Sequence, residues 1–193
     1  SGTSFATYVG TNSAVAAAST GGPGFRALNA STEMTTAISL GATNNVGLAS
    51  GNMGGYIVAA VTTGSLTLNR NGGFNSQGPL PESNILTLNA ANTSGGILAL
   101  AGNAGLTGGQ ITTGTAATGL YLWTPGAATT LAVNSTITGS GAGGLTKDGA
   151  GTAIFGVRQA YTGSTNLNGG TLRLGAGDNT LYVSALGAPG ALN

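Results

Sequence analysis

Residues 161–175 read YTGSTNLNGGTLRLG, and the spacing inside this stretch decides the fold. Four of its residues are glycine, two asparagine and three threonine, yet Leu167, Leu172 and Leu174 stand apart with polar residues between them. On an extended backbone Leu172 and Leu174 point to one face and Arg173 to the other. The same alternation appears in LTLN at 66–69, and the motif returns letter for letter at 86–89. That offset, about 20 residues, is the length of a short structural repeat. Similar short units follow one another: GGYIVAAV (54–61), GGILAL (95–100), GQITTG (109–114), GLYLWT (119–124), TTLAVN (129–134), STITGS (135–140) and TAIF (152–155). Most are bounded by Gly, Asn or Pro, and none is long enough to bury much area alone. They must share one core.

Composition points the same way. The 193 residues suffice for one good-sized domain. Gly contributes 37 residues, Thr 29 and Asn 17, and only 5% of the chain is charged, against roughly 25% in ordinary globular domains. Gly, Asn and Thr are poor helix formers, and no segment carries the charged face of a surface helix. Thr and the apolar residues suit strands, while Gly and Asn suit corners. The class is therefore all-β. Positive mean hydropathy with a net charge of +1 argues against disorder, which pairs low hydrophobicity with high charge.

Two architectures satisfy short strands with one shared core. A β-sandwich would use hairpin turns, and Asn71-Gly72, Asp148-Gly149 and Asn168-Gly169 supply three candidates. A parallel β-solenoid needs short strands, Gly or Asn at its corners and a repeat of about 20 residues. The offset of the two LTLN motifs and the brevity of the strands favour the solenoid, with coils of about 20 residues. Residues 1–50 show little pattern and are expected to form irregular coils or a cap, and residues 51–193 the solenoid proper.

Residues 144–175, GLTKDGAGTAIFGVRQAYTGSTNLNGGTLRLG, carry a more specific signal. They resemble the autotransporter-associated β-strand repeat found in passenger regions of type V secreted bacterial proteins. The matching positions are Gly144, Leu145, Lys147, Gly149, Gly151, Thr152, Tyr161, Thr162, Gly163, Thr165, Gly169, Gly170, Thr171, Leu172, Leu174 and Gly175. Ala153, Val157 and Gln159 depart from the Leu, Gly and Asn usual in that repeat, and Phe155, on the same face as Ala153, is placed to refill the lost core volume. The resemblance implies a right-handed parallel β-helix in a protein secreted to the outer cell surface or beyond. The N-terminal SGTSFATYVG has no charged n-region, so the expectation is a removed signal or a piece of a longer chain.

Candidate chemistry is sparse. The chain has no Cys and no His, so the soft metal ligands and the usual triads are missing. Its carboxylates are Glu33, Glu82, Asp148 and Asp178, and only Asp148 has a basic neighbour, Lys147, which reads as a surface corner of the repeat. GSGAGG (139–144) matches a phosphate-loop spacing but no helix can follow it, and LGAGDNTLY (174–182) is a single, partial echo of a calcium-binding nonapeptide. No cofactor, metal or enzymatic activity is expected, nor any nucleic-acid partner or membrane span. In GLYLWT, inward Leu120 and Leu122 would turn Tyr121 and Trp123 outward together, a candidate binding surface for glycan or protein. Outward threonines such as Thr67, Thr87, Thr136 and Thr138 raise the weaker thought of an ice-binding ladder. The expected function is structural: a rod, stalk or self-assembling extracellular fibre unit, associating end to end because little charge keeps its edges apart. An adhesin contacting glycan or surface protein through Tyr121 and Trp123 is the alternative.

Overall fold

The computed structural model describes residues 6–9, 24–27, 34–35, 45–49, 56–57, 61–69, 72–76, 84–88, 95–100, 102–113, 119–139 and 144–175. These residues form strands and corners, with no helix among them. Strands β1 (Ala6–Val9) and β2 (Gly24–Ala27) pair antiparallel with each other. The rest lie in two parallel sheets. The first sheet holds β3 (Met34–Thr35), β4 (Asn45–Ala49), β7 (Ser65–Asn69), β10 (Gly95–Ala99), β12 (Leu120–Trp123), β14 (Leu145–Asp148) and β16 (Thr165–Leu167), side by side in that order. The second runs β5 (Tyr56–Ile57), β8 (Gly72–Ser76), β11 (Asn103–Thr112), β13 (Thr130–Thr138), β15 (Thr152–Phe155) and β17 (Thr171–Leu174). Beside the second half of β11 lie β9 (Ile85–Leu88) and then β6 (Val61–Thr63). From β10 onward successive strands alternate between the sheets, which parallel pairing requires because no tight hairpin joins parallel neighbours.

Alternation within each strand builds the core. In the first sheet Leu66, Ile97, Leu122, Lys147 and Leu167 follow one another in register across neighbouring strands. In the second, Ala104, Leu131, Ala153 and Leu172 form one such column, and Leu106, Val133, Phe155 and Leu174 the next. Ile97, Leu106, Leu122, Leu131 and Val133 are wholly buried in one cluster, each worth about 1.5–3 kcal/mol of apolar burial. Ala153 and Phe155 are both buried in adjacent inward positions, a small residue beside a large one.

The corners between sheets demand glycine at two stacked positions. Gly149 and Gly170 take φ values of 86° and 68°, a region L side chains rarely enter. A Cβ on Gly170 would also run into the carbonyl oxygens of Gly149 and Gly151, so successive corners touch backbone to backbone.

The structure departs from two expectations. The two LTLN motifs do not stack: the first forms β7 in one sheet, and the second forms β9 beside the other sheet's β11. Their offset is therefore not the general stacking interval. The step from Lys147 to its neighbour Leu167 does equal that offset, but the steps from Ile97 to Leu122 and from Leu122 to Lys147 are both longer. The extra length of the turn from Leu122 is spread around it: the corner from Trp123 to Thr130 is longer than its equivalent from Asp148 to Thr152, and the run from Val133 to Leu145 is longer than that from Phe155 to Thr165. The motifs TTLAVN and STITGS are one strand, β13, while GQITTG contributes only the second half of β11. Within β11, Gly108 and Gly109 at φ 72° and 63° interrupt the register between Thr107 and Gln110, a bulge that re-aims the strand. In line with the favoured reading, Asp148-Gly149 and Asn168-Gly169 are corners between the two parallel sheets, not the hairpins a sandwich would make.

Candidate functional site

The residue with most chemistry in the described part of the chain is Lys147, and it is inside. Alternation along β14 places Leu145 and Lys147 inward and Asp148 outward, so the lysine takes the place of a leucine between Leu122 and Leu167. The side chain is fully buried. Its Nζ donates to the carbonyl oxygens of Asp148 at 3.0 Å, Gly149 at 2.8 Å and Gly169 at 2.9 Å. An ammonium has three N–H donors, so each finds an acceptor. Gly149 and Gly169 belong to successive turns of the chain, and the lysine ties the two corners together. Burial holds the Lys147 ammonium below the usual lysine range, with the neighbouring Asp148 carboxylate partly offsetting that. The expected surface couple is thus split: Asp148 is exposed, its Oδ1 accepting the Gly149 N–H at 2.6 Å, and Lys147 is a buried brace.

Two further polar side chains work inside the stack. Tyr161 is fully buried and shares a hydrogen bond with the Thr165 hydroxyl. Burial raises the phenol above its ordinary value, and the Thr165 contact draws it partly back. Gln159 accepts the Ile137 N–H at 2.7 Å and donates to the carbonyls of Val157 at 2.8 Å and Ser135 at 3.4 Å. Beyond Phe155 the chain leaves the edge of β13, and this side chain supplies the pairing that a continuing strand would have given. Alternation from Leu145 already marks Lys147 as inward-facing; Gln159 is marked only as standing where the repeat usually has Asn, and no periodicity tells that it turns inward.

The outer face of the first sheet is uneven. One outward column runs Thr67, Leu98, Trp123 and Asp148, and the other Gly96, Tyr121, Thr146 and Asn166. At β7 and β10 this face is covered: Thr67 is 5% exposed and Leu98 is 0% exposed. At β12 it opens, with Tyr121 at 47% and Trp123 half-buried, and beyond it Asp148 is exposed while Thr146 and Asn166 are half-buried. Tyr121 and Trp123 therefore stand at a step. The Trp123 ring leans over the Gly149 corner, where its Cδ1 occupies the space a side chain would need. Thr67, expected on an open ladder, lies on the covered side of the step.

Among the described residues no three of His, Cys, Asp and Glu gather where they would hold a metal ion. Glu33, Glu82, Asp178 and the stretch beyond Gly175 lie outside the described residues, as do positions 140–143 of GSGAGG. Compared with protein-family models, with curated proteins and with solved structures, the chain finds no match.

Proposed function

We propose that this chain is a non-enzymatic structural protein, a right-handed parallel β-solenoid serving as a rod, stalk or fibre unit at the bacterial cell surface. The observation that carries the reading is how the polar groups of the stack are used. Its interior columns are apolar, and the one charged side chain in them among the described residues, Lys147, is committed to three backbone carbonyls. The resemblance of residues 144–175 to the passenger repeat supports the handedness, the secretion and the bacterial source.

End-to-end association follows from the edge left by the last described strands. Leu167 is 38% exposed, and Leu172 and Leu174 are only partly buried, whereas their column partners Leu122, Leu131 and Val133 are closed off by strands on both sides. Open strand edges with apolar columns invite another parallel strand, and little charge opposes the approach. Parallel stacking is directional, so such contacts are head to tail and build filaments. Sedimentation velocity and negative-stain microscopy over a range of concentrations test this. The expected result is elongated species that lengthen with concentration; a compact monomer at every concentration overturns it.

A further inference from the structure

The step on the first sheet has the build of a carbohydrate platform, and we infer that it binds a neutral glycan lying along the stacking direction. Tyr121 and Trp123 share one side of β12 and sit where the covered part of the outer face ends. From Tyr121 the open column continues through Thr146 to Asn166, in strict register on neighbouring strands. Parallel neighbours are about 4.8 Å apart, so the strip presents an aromatic side chain and then a polar side chain on each of the next two strands. A pyranose needs this pairing: its C–H face stacks on a ring, while its hydroxyls seek a hydroxyl or amide beside it.

The strip also selects by charge. Among the described residues its single formal charge is the exposed Asp148 carboxylate beside Trp123. The adjoining cation, Lys147, is buried and spent on carbonyl oxygens, so it offers an anionic ligand no donor. Uronates and sulfated sugars would meet repulsion without compensation. Neutral hexose polymers would not. The backbone at Tyr121 is fixed because Leu120 and Leu122, on either side of it, are wholly buried in the core. A tyrosine on a fixed strand has only its two side-chain torsions to lose on binding.

Tyr121 and Trp123 lie two strands in from the end-to-end edge, which the strip reaches only at Asn166 on β16, so binding and assembly are read separately. Affinity electrophoresis of the whole chain would use laminarin and hydroxyethylcellulose as neutral probes and alginate as the anionic one. The expected result is retardation by a neutral probe and none by alginate. Tyr121→Ala should weaken it about tenfold, Asn166→Ala should weaken it less, and Val157→Ala, an exposed apolar position outside the strip, should leave it unchanged. Circular dichroism and sedimentation of each variant confirm that fold and assembly are retained. Trp123→Phe keeps a ring at the step, and serves if removing Tyr121 disturbs the fold: it should weaken binding only partly. No retardation by either neutral probe, preferential retardation by alginate, or equal binding by Tyr121→Ala and the parent chain would each overturn the inference.

Discussion

At the scale of single residues, Lys147, Gln159 and Tyr161 are buried polar side chains whose hydrogen bonds tie the stack together. Removing the Lys147 ammonium leaves the carbonyls of Asp148, Gly149 and Gly169 without the donor they share. Lys147→Ala should therefore cost about 3 kcal/mol in urea unfolding. Lys147→Met, which refills the apolar stem, should recover only part of that, since it offers no donor; full recovery by methionine would show that packing alone is at work. Tyr161 gives the alkaline behaviour. Its folded value is raised above the 10.0 of a free phenol, so its contribution is whole below that value and is lost as pH rises through the folded one. Lys147 acts in the opposite sense: held below 10.5, it penalises the folded state at lower pH, and that penalty fades as pH rises towards the unfolded value. Stability measured from neutral to strongly alkaline pH should fall more steeply in the parent chain than in Tyr161→Phe. Identical curves would mean that Tyr161 does not govern the loss.

At the scale of elements, the glycine corners decide how strands stack. Gly170 combines a φ of 68° with backbone carbonyls in the space of a Cβ, so Gly170→Ala should cost about 2 kcal/mol or more. Gly156 is a useful contrast: the nearest atoms to a Cβ there belong to the amide end of the exposed Asn134 side chain, which can swing away. Gly156→Ala should change stability by no more than about 0.5 kcal/mol; equal costs would mean that corner geometry is not what glycine provides. Strand positions such as Leu120–Trp123, Thr152–Phe155 and Thr171–Leu174 were legible from period-two alternation, because one side of each strand packs on the core. The stacking interval was not. An identical LTLN says that two segments want the same local environment, and β7 and β9 find it in different sheets. The joining of two short motifs into β13 was hidden for a related reason: Asn134 and Ser135 look like a turn by composition, yet both continue the alternation, one exposed and one buried. For the site, the outward turn of Tyr121 could be read from its neighbours, whereas the burial of outward-facing Leu98 that makes the step is not recorded in the alternation of its own strand.

At the scale of the whole molecule, strand direction governs the rest. Antiparallel sheets would bring Asp148-Gly149 and Asn168-Gly169 into hairpins and dissolve the columns that bury Leu122, Leu131 and Val133. Parallel sheets preserve those columns, end among the described residues at β16 and β17, and set Tyr121, Thr146 and Asn166 in a row. The chain contains no cysteine, so a pair introduced at two positions reports on their proximity without interference. Ala132 and Ile154 are register partners on the outward face of β13 and β15, and parallel neighbours lie within the roughly 4.4–6.8 Å that a disulfide spans. The direct measurement is oxidation of the double variant Ala132→Cys, Ile154→Cys at low protein concentration, beside a control pairing Ala132→Cys with Arg173→Cys, two strands away. Parallel stacking predicts an intramolecular disulfide in the first and none in the control; cross-linking of the control alone, or of neither, would contradict it.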